Sequence, residues 1–213
     1  MNKQLLIATN NRGKVAELSE LLKDLPVELV TPGQIGLSLE VSEDGRTYEE
    51  NAAKKALAFA QASGLISLAD DSGLEVEALG GAPGLYSARY SPKPGASDAD
   101  RRAYLLAKLK AAKASGPWKA RFRATIAVAL PIGMVQVTEG ICPGIIIAEE
   151  RGTGGFGYDP IFLLPELGRT MAELGMEEKN RLSHRARAVL AAKPILWELL
   201  GEEIPGREGY EER

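Results

Sequence analysis

The chain has 213 residues, a formal net charge of −3, and 45% of its residues are apolar. That is enough to bury a full core in one substantial domain, and it offers no basic field for gripping a nucleic-acid backbone. Cys142 is the only cysteine and His184 the only histidine, which excludes an internal disulfide, multi-cysteine zinc sites and histidine-rich metal centres.

The amino terminus offers only Leu5 to Ala8 between polar residues, too short for a signal segment or a membrane span, so a cytoplasmic location is the expectation. Gln4 to Thr9 reads as a strand that empties into Asn10-Asn11-Arg12-Gly13-Lys14, after which Val15, Leu18, Leu21, Leu22 and Leu25 repeat at helical spacing. Val27 to Val30 is a second strand, and Gln34 to Arg46 is acidic and irregular. Thr47 is placed to cap an alanine-rich helix from Tyr48 to Ser63, with Glu50 as capping-box partner and Gly64 as its stop. Ile66 to Ala69 is a buried strand ending in Asp70-Asp71-Ser72-Gly73, and Leu74 to Leu79 alternates apolar and acidic as a half-exposed strand would. Beyond the irregular Gly80 to Gly84, Ser97 or Asp98 starts a helix that runs to about Lys113 and is stopped by Ser115-Gly116-Pro117. Alternation from Ala120 to Leu130, the turn at Pro131-Ile132-Gly133 and the run from Met134 to Cys142 make a hairpin. Ile145 to Ala148 and Ile161 to Leu164 are short strands around a glycine-rich loop, and a last helix covers about Ser183 to Leu200, kinked at Pro194. With no repeat or linker, these elements predict an α/β fold. One mixed, twisted central sheet is flanked by helices, in two lobes with the ligand in the cleft between them, over residues 1–200, followed by a polar tail over 201–213.

Candidate chemistry is concentrated in a few stretches. Asp70 and Asp71 end an apolar strand, and in open α/β sheets the ligand crevice lies at the carboxyl ends of strands. Adjacent carboxylates repel, and a divalent cation would turn that repulsion into coordination. Asp-Ser-Gly is equally good turn chemistry, so the residues alone leave site and turn open. Thr9 to Lys14 lies between strand and helix, where N–H groups, amides and a lysine favour a phosphate. The P-loop spacing is missing, Val15 stands where a magnesium-binding hydroxyl belongs, and a polar capping loop would look the same. Gly152 to Gly157 matches Gly-x-Gly-x-x-Gly, but Tyr158-Asp159-Pro160 disfavours the helix that a dinucleotide fingerprint requires. What remains is either a loop whose Phe156 and Tyr158 offer faces to a base, or a turn with two core aromatics. Glu178 to Arg187 brings several cations to a helix amino terminus, against the macrodipole, which asks for an anionic partner or a solvated face. Glu43, Asp44, Glu49, Glu50, Asp70 and Asp71 supply hard oxygens of the kind that hold magnesium together with substrate phosphates. Glu50 and Lys54 have the spacing of a helix-surface pair, which leaves Lys55 to face the crevice.

Taken in order, Ala8 to Lys14, Glu50-Asn51-Ala52 with Lys55, Ala69 to Leu74, Gly80 to Gly84 with Tyr86 to Arg89, Gly152 to Pro160, and Ser183-His184-Arg185 resemble the inosine triphosphate pyrophosphatase family over nearly the whole chain. The resemblance implies hydrolysis of ITP, dITP and XTP to the monophosphate and pyrophosphate, a requirement for magnesium, and a homodimer. It implies that Thr9, Asn10, Asn11, Arg12, Gly13 and Lys14 hold the triphosphate, with Lys55 assisting Lys14 on the departing pyrophosphate. Asp71 would be the proton acceptor and a metal ligand, and Glu43 the second metal contact. Ser72, Phe156, Gly157, Tyr158, Asp159, Lys179, His184 and Arg185 would contact the substrate. Arg185 and His184 can donate to the six-position carbonyl of hypoxanthine or xanthine, whereas adenine would leave a donor unpaired at roughly 1–3 kcal/mol. The alternatives are a related pyrophosphatase for pyrimidine or methylated nucleotides, and a nucleotide-binding module without turnover. Scattered cations speak against a sheet protein that binds RNA, and no nucleic-acid or membrane partner is expected.

Overall fold

The computed structural model describes residues 3–112 and 116–201. β1 (Gln4–Ile7) lies between β2 (Glu28–Val30) and β3 (Ile66–Val76), parallel to both. Parallel neighbours need crossovers, and these are α1 (Arg12–Leu21) and α2 (Tyr48–Ser63). From β3 onward the sheet is antiparallel through β4 (Trp118–Ala129), β5 (Val135–Ile146), β6 (Phe162–Leu164) and β7 (Arg169–Thr170), giving the seven-stranded order β2-β1-β3-β4-β5-β6-β7. The remaining helices are α3 (Asp98–Ala111), α4 (Met176–Leu182) and α5 (His184–Leu199). This is the mixed, helix-flanked α/β sheet that the element order predicts. Among the described residues no helix is long and apolar enough to cross a membrane.

Alternating apolar positions put one core on each face. Leu5, Leu68, Ile126 and Val128 pack against Leu18 and Leu21 of α1 and Val189 and Leu196 of α5. On the opposite face, Leu6, Ala69 and Ala127 meet Ala52, Ala56 and Phe59 of α2, whose small residues let the helix lie close. A third cluster, built from Leu74, Phe122, Ile146 and Phe162 with Leu105 and Leu109 of α3, fills the far end of the sheet.

Several expectations need correction. The segment Ile66–Val76 is one strand, so Asp70 to Gly73 are mid-ladder and not a turn. β5 likewise runs unbroken through Pro143, absorbing Ile145 and Ile146 from the separate strand expected there. β6 pairs with β5 only at Ile145 and Ile146, so Pro143 falls where β5 is an edge and a missing N–H is tolerated. α5 does run through Pro194 as one helix, as expected. Glu50 closes only half of the predicted capping box: Thr47 accepts from the Glu50 N–H, while the Glu50 carboxylate accepts from the Arg46 N–H (2.6 Å). Lys54 pairs with Asp44 (2.6 Å), not with Glu50. Helix α4 and strand β7 carry too little periodicity to be read in advance. The predicted helix end at Lys113, the Ser115 stop and the tail from 202 onward lie outside the described residues.

Two contacts fix α5 on the sheet. A Cβ on Gly140 would lie 2.1 Å from the His184 carbonyl oxygen and 2.5 Å from the Ala188 N, so the helix backbone rests directly on β5 there. From the same residue, the imidazole of His184 stacks on Phe122 with centroids 4.7 Å apart. Gly140→Ala should therefore destabilise the protein by about 1–3 kcal/mol through overpacking, measured as a lower denaturant midpoint at unchanged slope. Burial, reinforced by the charge of Arg185, holds the His184 imidazole well below its usual pKa. The unfolded chain takes up that proton below pH of about 6.5 while the folded chain does not, so stability is lost as the pH falls, at up to about 1.4 kcal/mol per unit. Subtracting the pH-stability curve of His184→Phe from that of the wild type should isolate this slope; parallel curves from pH 7 to 5 would contradict it.

Candidate active site

β1 stops pairing with β3 at Ile7, opposite Leu68, and the last bond runs from the Ala8 N–H to the Leu68 carbonyl (2.8 Å). Carbonyls two residues apart on a strand point the same way, so that of Asp70 emerges on the same edge with no strand to receive it. Lys14 Nζ (3.3 Å) and Lys55 Nζ (3.4 Å) donate to it instead. Lysines from α1 and α2 thus meet over the backbone of β3 where its neighbour runs out. They border a cavity of about 240 Å3. A larger hollow of about 900 Å3, lined by Cys142, Leu164 and Leu167 among others, takes in none of the sequence-predicted site residues.

The paired acids do not face each other. Successive side chains of a strand point to opposite faces, so Asp70 turns toward α1 and α5 while Asp71 turns toward α2, and no mutual repulsion calls for a shared cation. The Asp70 carboxylate is fully buried and spent: Lys14 pairs with it, Arg185 Nε donates to it at 3.0 Å and Ser72 Oγ at 2.9 Å. Burial alone would raise its pKa, but Arg185 and Lys14 hold it far below the usual carboxylate range. Asp71 lines the cavity and accepts from Asn51 Nδ2 (3.0 Å). Burial raises its pKa, the Glu43 charge adds to this, and Lys14, Asn51 and Lys55 offset only part. Glu43 lines the same wall, paired with Lys55 and with Arg89 Nη1 at 3.8 Å. Burial would raise Glu43 too, yet Lys55, Lys14 and Arg89 keep it ionised below the usual range.

Behind the cavity runs a file of alternating charge. Lys14 pairs with Asp70, Asp70 with Arg185, Arg185 with Glu17, Glu17 with Lys179 (2.6 Å) and Lys179 with Asp159 (2.5 Å). It explains Lys179 and Arg185, which face buried acids, whereas Arg181 pairs with the exposed Glu177 and Arg187 donates to the Ile141 carbonyl (2.8 Å). Lys179 and Arg181 belong to the last turn of the separate helix α4, where the macrodipole favours them.

The glycine-rich loop closes the other wall. It continues into a 3-10 turn over Asp159–Ile161 and not into an α-helix, as Asp159-Pro160 predicts. The loop is clamped by α3: Asp98 accepts from the Gly157 N–H (2.7 Å), and Arg102 donates to the Gly157 carbonyl (2.8 Å) while bonding Glu150. Tyr158 is a core residue whose hydroxyl donates to the Ser87 carbonyl (2.9 Å), so Phe156 is the more available ring. His184 borders the cavity, and its buried Nδ1 has no hydrogen-bond partner.

Of the sequence-predicted residues, Thr9, Asn11, Lys14, Glu43, Lys55, Asp71, Ser72, Phe156, Gly157, Tyr158, Asp159, Lys179, His184 and Arg185 all line this cavity. Asn10, Arg12 and Gly13 do not; Asn10 and Arg12 are exposed, and Asn11 also caps α1 by accepting from the Lys14 N–H (3.1 Å). Sequence reasoning missed Glu17, whose place beside Leu18 and Leu21 on the inward face of α1 was the available signal. It also gave no role to Asn51, which accepts from the Gly45 N–H (2.8 Å) and so ties the acidic loop to Asp71.

The sequence profile of the Ham1 family matches residues 5–195, a span that includes every residue of the cavity wall. A dITP/XTP pyrophosphatase of Desulforamulus reducens is 50% identical over 193 residues, covering 91% of this chain and 95% of that protein. One from Thermus thermophilus is 48% identical, covering 88% and 89%. Among solved structures, a HAM1 protein from Coxiella burnetii superposes with a TM-score of 0.82 at 40% identity, over 92% of this chain and 99% of that one. The Staphylococcus aureus Ham1 protein gives 0.79 at 38%, over 92% and 100%. Profile, relatives and superposed structures agree over nearly the full length, and the chain belongs to the Ham1 family.

Proposed function

We propose that this protein hydrolyses deaminated purine nucleoside triphosphates, ITP, dITP and XTP, to the monophosphate and pyrophosphate. The observation that carries this is the make-up of one cavity, whose lining joins Lys14, Lys55, Glu43 and Asp71 to the Phe156 ring, His184 and Arg185. The names of the relatives support the substrate class.

Glu43 and Asp71 fit a hard divalent ion. They are carboxylates on one cavity wall, and the charge of one raises the pKa of the other. Two carboxylates suit magnesium, an ion usually shared between one or two carboxylates and substrate phosphates. When bound, it would neutralise charge developing on the pyrophosphate that leaves. Asp71 takes a proton from the water that attacks the α-phosphorus, and Asn51 keeps its other oxygen turned to that task. Lys14 and Lys55, already drawn together over the Asp70 carbonyl, bind the departing phosphates. The unpartnered His184 nitrogen supports donation to a six-position carbonyl. A homodimer is the assembly that the family resemblance supports.

Asp71→Asn should keep the fold and lower pyrophosphate release from dITP by at least about 100-fold, as loss of a general base does; full activity would overturn the assignment. Arg185→Ala is a poor probe of base selection, because it strands Asp70 and Glu17, a loss of about 3–5 kcal/mol for a broken buried pair. His184→Phe keeps the stack on Phe122 and removes only the polar edge. It should cut kcat/KM for ITP by about 5- to 150-fold with little change for ATP, and an equal loss on both nucleotides would assign His184 to packing alone. Assaying a panel of purine, pyrimidine and methylated nucleotides for pyrophosphate, with and without magnesium, tests the substrate class and the metal together.

A further inference from the structure

Gly13 is the second residue of α1, is absent from the positive-φ glycines, and stands where helix propensity favours alanine. What forbids a side chain is Phe156. A Cβ on Gly13 would lie 2.6 Å from Phe156 Cδ1, 2.9 Å from Cε1 and 3.0 Å from Cγ, so the ring rests against bare backbone in the first turn of α1. Its other restraints are tight. The Phe156 N–H donates to Asp159 Oδ2 (2.9 Å), Asp159 is bonded to Lys179 (2.5 Å), and the Lys179 and Arg185 cations stand 5.2 and 5.5 Å from the ring centroid. Gly155 allows that clamp, since a Cβ there would fall 2.0 Å from Asp159 Oδ2. A new methyl group on Gly13 must displace this ring, and the ring lines the cavity.

We propose that Gly13 is a specificity-determining position: its missing side chain is the seat of the Phe156 ring, so the phosphate-side loop sets the plane that a purine base meets. The proposal rests on the reading of Phe156 as a base contact, and it gives Gly13 a positioning role in place of a phosphate contact. A displacement of about 1 Å is enough to cost about 100-fold in a positioned reaction.

The test uses Gly13→Ala, Phe156→Ala and the double variant, each with its thermal midpoint measured, assayed on ITP and ATP and for competitive inhibition by tripolyphosphate, a probe without a base. Gly13→Ala should lower kcat/KM for ITP at least about tenfold and shrink the ITP-to-ATP ratio. Tripolyphosphate inhibition should change by less than about twofold, and in the Phe156→Ala background the same substitution should cost less than about twofold. Tripolyphosphate binding weakened as much as ITP turnover would overturn the proposal, as would an equal cost in both backgrounds. Should Gly13→Ala fail to fold, the double variant decides: folding and activity like those of Phe156→Ala support the seat, and failure to fold overturns it. Wild-type protein that releases no pyrophosphate from ITP would overturn the hydrolytic reading, and the proposal with it.

Discussion

Asp70 has no access to solvent, and its charge is tolerable only because Lys14 and Arg185 are both against it. That requirement propagates. Arg185 is itself buried and needs Glu17, Glu17 binds Lys179, and Lys179 binds Asp159, so α1, β3, α4, α5 and the glycine-rich loop must all be in place together. A buried ion pair gains little over an apolar substitute, but removing one member leaves an uncompensated charge. The file is better understood as a geometric constraint than as a source of stability. It runs from Lys14 to Asp159, which holds the backbone of Phe156, and all three residues line the cavity.

The second determinant is a strand that is too short. If β1 continued past Ile7, its N–H groups would take the Asp70 carbonyl and the lysines would have nothing to meet over. Ending the strand there makes room for the Thr9 to Lys14 loop and leaves an acceptor on the sheet edge. The same rule that places ligands at the carboxyl ends of parallel strands therefore holds here for β1, while the acids come from the strand beside it.

The sheet class and most helix limits were legible from residue types and periodicity, because alternation and capping are local signals, and fourteen of the residues that line the cavity were named in advance, several of them only through the family resemblance. The charge file was not. Its bonds join residues 56, 115 and 168 positions apart, and no window along the chain contains both partners. For the same reason Asp70-Asp71-Ser72-Gly73 resembles a turn: four polar or flexible residues end an apolar run, and the distant groups that make them a strand cannot be seen beside them. Gly73 shows the point at atomic scale. A Cβ there would lie 2.3 Å from the Gly84 carbonyl oxygen, so this glycine answers to a loop eleven residues on and not to its own backbone.

Carrying Asp71 on a regular ladder has a further consequence for how the gene can vary. Asp71 is paired with Thr125 across β4, and its neighbour Asp70 with Ile126. Inserting or deleting a single residue upstream within β3 would hold the hydrogen-bond pattern but exchange the two faces. The anchoring acid would then point into the cavity, and the cavity acid into the cationic file. Length changes in this strand are closed to the protein, whereas the loops that shape the cavity mouth can lengthen or shorten without disturbing which acid does which job.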